Sequence, residues 1–123
     1  MHEKRIEIRW RDLDAFAHVN QAVYLTYLEE VLDDWIRGVL GLAEGEVWDY
    51  VAAHVSIDYR KELRLEDRYA TGTASLVRVG TKSVTVRVEL RGRDGEPAAE
   101  AELVIVARRP ITAGERAAFE VAA

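Results

Sequence analysis

The chain contains no cysteine. Disulfides, thiolate metal sites and cysteine nucleophiles are therefore excluded together, and any chemistry must use oxygen, imidazole or backbone groups. Side-chain amides are almost as scarce, because Asn20 is the only asparagine and Gln21 the only glutamine, and the two are adjacent. Met1 is the only methionine, and this scarcity beside abundant Arg and Glu is the usage expected of a thermophile protein. No apolar run reaches the roughly 20 residues of a membrane span. The nearest candidate, Ala22 to Leu42, carries Glu29, Glu30, Asp33, Asp34 and Arg37. The opening Met-His-Glu-Lys-Arg leads directly into alternating sequence without the apolar stretch of a secretory signal, which points to the cytoplasm. Basic residues are not in excess: 17 Lys and Arg against 22 Asp and Glu give a net charge of -5, which argues against broad binding to nucleic acid.

What is present is a chain of 123 residues, 49% hydrophobic and 32% charged, which predicts one soluble globular domain over residues 1–123. Glu3 to Trp10 alternates, with Ile6, Ile8 and Trp10 on one side, as a half-buried strand does. From Ala22 to Leu40, Tyr24, Tyr27, Leu28, Val31, Leu32, Trp35, Ile36 and Val39 follow a helical period broad enough for a deeply buried helix. Asn20 is a favoured N-cap for it, and Gly38 and Gly41 mark its end. After a loop at 41–49, alternation from Val51 to Arg60 predicts a second strand. Tyr69 to Val79 and Ser83 to Arg91 form a hairpin through Gly80-Thr81-Lys82, and the Asp94-Gly95 turn leads to a fifth strand over Ala99 to Arg108, ended by Pro110. Strand, long helix and four strands make an α+β domain. A single sheet with one buried helix leaves edge strands open, so a homodimer or a homotetramer is expected.

The segment Arg11-Asp12-Leu13-Asp14-Ala15-Phe16-Ala17-His18-Val19-Asn20-Gln21 joins the first strand to the helix and concentrates two carboxylates, a histidine and both amides. Asp and Asn serve turns and caps, and a lone His often only ties a loop, so spacing alone leaves structure and function both open. The run DLDAFAHVNQAVYLTYLEE resembles the signature D-x-D-x-x-G-H-V-N-N-x-x-Y-x-x-Y-x-E of hotdog-fold acyl-CoA thioesterases of the 4-hydroxybenzoyl-CoA thioesterase-like family. The likeness continues through SIDYRKELRLEDRY and RVGTKSVTVRVEL. It implies the hotdog fold, an antiparallel five-stranded sheet wrapped around one long central helix, with dimers joined sheet edge to sheet edge and acyl-CoA entering between subunits.

The resemblance implies that Asp14 is the catalytic carboxylate, acting as general base on water or as nucleophile on the thioester carbonyl. It places the oxyanion donor at the backbone N–H of Gln21, where the helix start supplies unpaired N–H groups and a positive dipole end. His18 and Asn20 either orient Asp14 and touch the thioester, or fix the loop and cap the helix. Asp12 reads as a turn residue, Glu29 and Glu30 as a second possible source of the acid, and Tyr24 and Tyr27 as acyl-pocket lining or core. Gly80, Thr81, Lys82 and Ser83 resemble the hairpin that holds the pantetheine arm and phosphates of coenzyme A, and Arg108, Arg109 and Arg116 offer further positive charge. No metal and no cofactor beyond coenzyme A itself is implied. The signature glycine is Ala17, its second Asn is Gln21, and Glu62 replaces the usual Pro before the third strand. Two other readings stand beside hydrolysis: an acyl-CoA sensor without turnover, and a hydratase or dehydratase that pairs Asp14 with His18 or His54.

Overall fold

The computed structural model describes residues 2–122. Strand β1 (Glu3–Glu7) is followed by a 3-10 turn (Trp10–Asp12), helix α1 (Gln21–Leu40), strand β2 (Tyr50–Tyr59), a second 3-10 turn (Leu65–Asp67), strands β3 (Tyr69–Val79), β4 (Ser83–Arg91) and β5 (Pro97–Ala107), and helix α2 (Ala113–Val121). The strands form one five-stranded sheet in the order β1-β3-β4-β5-β2, every pair antiparallel. It is the α+β hotdog arrangement, with the sheet wrapped around α1.

Two periods meet in the core. Val84, Val86, Val88 and Leu90 of β4 and Leu103 and Ile105 of β5 point inward at every second position, and all are fully buried. Against them α1 sets Tyr24, Tyr27, Leu28, Val31, Leu32, Trp35 and Ile36, likewise buried. Burying such side chains stabilises by roughly 1.5–3 kcal/mol each, so this face holds the helix in place although its opposite face is acidic. The helix comes so close to β3 that a Cβ on Gly72 would lie 2.1 Å from Val31 Cγ2. It runs through Gly38 and stops at Gly41, whose φ of 63° lets its N–H close back on the Arg37 carbonyl.

Two expectations need correction. Trp10 does not share the buried side of β1 with Ile6 and Ile8: the strand ends at Glu7, Arg9 N–H bonds the Asp12 carboxylate at 3.1 Å and turns the chain outward, and Trp10 is 78% exposed. β2 alternates only in part, because its register slips between Ala52 and His54 and the strand lies at the sheet edge, which leaves Val51 and Tyr59 exposed. Beyond Pro110 the chain adds an element that the sequence reading did not assign. Thr112 and Glu115 form a reciprocal capping box that starts α2, and Phe119 on that helix packs between Trp35 and Trp48.

Candidate active site

Residues 13–19 fold into a tight hairpin before α1. Leu13 bridges Val19, Asp14 N–H donates to the His18 carbonyl at 2.9 Å, and Ala17 N–H donates to the Asp14 carbonyl at 3.1 Å. Asp14 Oδ1 accepts the Phe16 N–H at 2.8 Å, which fixes the carboxylate against its own turn. The turn closes through Ala17 at φ 63°, a left-handed conformation suited to the glycine that the signature has there. The methyl group is accommodated, at the cost of backbone strain.

Asp12 does more than shape a turn. Its carboxylate, 4% exposed, accepts the Tyr27 hydroxyl at 2.6 Å together with the Arg9 N–H, while its carbonyl accepts the Asn20 N–H at 3.0 Å. The loop is thereby bolted to the second turn of α1. Burial pushes the Asp12 carboxyl up, but the Tyr27 hydroxyl and the Arg9 N–H and guanidinium outweigh it and hold it below the usual carboxylate value. Burial and the adjacent Asp12 push the Tyr27 hydroxyl far up, so it stays a donor.

Asn20 caps α1 through its side-chain oxygen, which accepts the Ala22 N–H at 2.8 Å, and its carbonyl accepts the Val23 N–H at 2.9 Å. Among the described residues no acceptor takes the Gln21 N–H, so the first amide of the helix is free at the dipole's positive end. The Gln21 carbonyl is held by the Tyr59 hydroxyl at 3.1 Å. Tyr24 is buried and its hydroxyl is fully used, donating to the Lys61 carbonyl at 3.0 Å and accepting the Leu63 N–H at 2.8 Å. It therefore clasps the helix to the 61–63 segment while its ring borders the cleft. That cleft, about 280 Å³, is lined by His18, Gln21, Tyr24, Tyr59, Lys61 and Glu62 among others.

His18 links the cleft to the carboxylate. Its Nδ1 lies 3.4 Å from Asp14 Oδ2, its Nε2 lies 3.7 Å from Glu62 Oε1, and its ring stacks on exposed Phe16 with centroids 6.0 Å apart. Glu62 reaches it because the 62–64 segment pairs with the loop, Val19 N–H bonding the Leu63 carbonyl at 2.7 Å and His18 bridging Arg64. Asp14, His18, Asn20, Gln21 and Tyr24 are thus brought together. Sequence reading missed Tyr59 and the His18 contact of Glu62; for Glu62 the signal was present as a departure from the family pattern.

The Gly80–Ser83 hairpin is not near this group. Tyr59 pairs with Ala99 at one end of β5, whereas Ser83 pairs with Val106 at the other, and the stretch between spans roughly 24 Å at about 3.4 Å per residue. The tip is tightly closed: Gly80 N–H bonds the Ser83 carbonyl at 2.7 Å, and a Cβ on Gly80 would lie 2.5 Å from Ser83 Oγ. Thr81 and Lys82 are exposed. Arg116 is spent on bracing the tip, donating to the Val79 and Gly80 carbonyls at 3.2 and 2.7 Å. Arg109 pairs with Glu115 and Arg108 with Asp49. Glu29 and Glu30 line a separate surface groove with Lys4, Asp33 and Asp34, away from His18. His54 is exposed on β2, where it pairs with Val104.

A five-stranded antiparallel sheet wrapped around one long buried helix defines a hotdog protein. A family model of the thioesterase-like superfamily matches residues 8–119, and the chain belongs to that superfamily. Among solved structures it is similar to a thioesterase from Thermus thermophilus complexed with coenzyme A and Zn, at 27% identity over 97% of this chain and 91% of that one, with a TM-score of 0.83. It shares its fold with a gentisyl-coenzyme A thioesterase, at 18% identity, 97% and 99% coverage and a TM-score of 0.87. It also shares it with a thioesterase-superfamily protein from Jannaschia sp. CCS1, at 18% identity, 98% and 92% coverage and a TM-score of 0.86. No curated protein matches the chain. Among the described residues no helix is long and apolar enough to cross a membrane, and no three His, Asp or Glu side chains are grouped to hold a metal ion.

Proposed function

We propose that the protein hydrolyses the thioester of an acyl-CoA to the free acid and coenzyme A. The observations that carry this reading are an immobilised carboxylate, Asp14, in contact with His18 of the cleft, and at that cleft the first residue of the helix, Gln21, whose N–H the cap leaves without an acceptor among the described residues. Neutral water attacks a thioester carbonyl slowly, so Asp14 either removes its proton as general base or attacks the carbon itself. Negative charge then develops on the carbonyl oxygen, and a pre-aimed backbone donor lowers that barrier by about 3–4 kcal/mol. Asn20 serves the chemistry indirectly, by taking Ala22 N–H rather than Gln21 N–H.

The coenzyme A portion calls for a second copy of the chain. Lys82 offers a cation and Thr81 and Ser83 hydroxyls to phosphate, but at the far end of the sheet from Asp14. Strand β2 is ten residues long and, among the described residues, has no strand partner on its outer side. Antiparallel pairing of two β2 strands reverses one sheet relative to the other and brings one copy's Gly80–Ser83 end to the side of the other copy's Gln21. In this homodimer, or a tetramer built from it, each site takes its carboxylate from one subunit and its phosphate contacts from the next.

The 3.4 Å approach of His18 to Asp14 favours a second reading, in which the pair hydrates or dehydrates the acyl chain and leaves the thioester intact. The two readings separate in one experiment. Purified protein is incubated with aromatic, short-chain, branched and long-chain acyl-CoA thioesters, and free thiol and free acid are both measured. Equal release of the two from at least one substrate supports hydrolysis. A changed acyl chain without thiol supports hydration, and bound but unchanged acyl-CoA supports a sensor.

A further inference from the structure

Glu62, which replaces the usual proline before the third strand, turns its carboxylate to the ring nitrogen of His18 that Asp14 does not face. With Nδ1 at 3.4 Å from Asp14 Oδ2 and Nε2 at 3.7 Å from Glu62 Oε1, both nitrogens look at an anion. Each can donate to the carboxylate it faces only when the ring carries both protons. Glu62 is itself held, since its Oε2 takes the Arg64 guanidinium at 2.7 Å and the mini-ladder between 18–19 and 63–64 fixes its backbone. The ring is three-quarters buried, stacked on Phe16, and opens on the cleft beside Gln21.

We propose that His18 is the proton donor to the departing sulfur and that Glu62 is the positioning residue that holds its ring toward the cleft, an inference that rests on the hydrolytic reading above. When the tetrahedral adduct collapses, the C–S bond breaks and its electron pair goes to sulfur. His18 delivers one proton there, and coenzyme A leaves as the neutral thiol. The ring recovers its proton from the attacking water, through the Asp14–His18 contact if Asp14 took that proton as base, or directly if water opens an acyl-Asp14 anhydride. Over the cycle, thioester and water become carboxylic acid and thiol, with both side chains restored.

The test varies the leaving group. The acyl group hydrolysed fastest is presented as its coenzyme A thioester, whose alkyl thiol needs a proton to leave well, and as its 4-nitrothiophenyl thioester, whose thiolate leaves unaided. The kcat ratio of the first to the second is measured for wild type, His18→Asn and Glu62→Gln. A fall of about tenfold or more in His18→Asn, and a smaller fall in the same direction in Glu62→Gln, is expected of a lost general acid. Glu62 is more than half exposed, so its variant keeps the fold even if the loop variant does not. Parallel losses on both substrates, with the ratio unchanged in both variants, would overturn the proposal while leaving hydrolysis intact. No thiol release by wild type from any acyl-CoA would overturn the hydrolytic reading and the proposal together.

Discussion

Replacing Tyr27 by Phe removes a single oxygen from the core and tests how the candidate active-site loop is held. That oxygen donates at 2.6 Å to Asp12, and both side chains are almost fully buried. A hydrogen bond to a charged acceptor is worth roughly 1.5–3 kcal/mol, and Asp12 keeps its contacts with Arg9, so a loss of about 2 kcal/mol is expected. The loss should also depend on pH. Asp12 lies below the usual carboxylate value in the folded chain because hydrogen bonds outweigh its burial. A carboxylate depressed in this way contributes its full stability above its unfolded pKa, about 3.9, and loses it as pH falls through the folded value. Tyr27→Phe removes part of the depression, so the stability gap to wild type is greatest above about pH 5 and narrows in acid. Urea unfolding at pH 7 and pH 3, read as midpoint shifts at constant slope, measures it. A gap under about 0.5 kcal/mol at pH 7, or one equally large at pH 3, would refute the reasoning.

Ala17→Gly relieves the left-handed strain at φ 63° and is expected to raise stability by about 0.5–1 kcal/mol in the same assay, with a loss of stability as the contrary result. Glu115 is held down to about 2, first by the Arg109 guanidinium and then by Thr112, with burial opposing them. Its contribution is complete above about pH 4.5 and disappears as pH falls toward 2. Glu115→Gln should therefore lower Tm by about 4–8 °C at neutral pH, with the deficit closing over that acid range; a deficit independent of pH would contradict this.

The parts of the structure visible in the sequence were those written in a period or a cap. The strict alternation of Val84 to Leu90, the broad apolar face from Tyr24 to Ile36 and the Asn20 cap each describe one element by itself, and the elements lie where that local chemistry places them. Contacts between elements left no such trace. The Asp12–Tyr27 bolt reads as a turn acid and a core tyrosine until the fold brings them together. The Tyr59 hydroxyl on Gln21 and the approach of Glu62 to His18 depend on where β2 and the 62–64 segment lie. The distance between Lys82 and Asp14 is a property of strand register, which neither motif carries. Helix α2 did have a sequence signal, the Thr112 to Glu115 capping box, but only Phe119 on it is buried, too little apolar period to follow it.

The most direct test of the account is the turnover of Asp14→Asn on the preferred acyl-CoA. Asparagine is nearly the same shape and its oxygen can still accept the Phe16 N–H, so the turn, the cap and the helix start should survive. The account predicts that kcat falls by about 10² to 10⁴-fold while circular dichroism and coenzyme A affinity stay at wild-type values. Thiol release within about threefold of wild type, well under the usual general-base contribution, would contradict it and remove Asp14 from the chemistry.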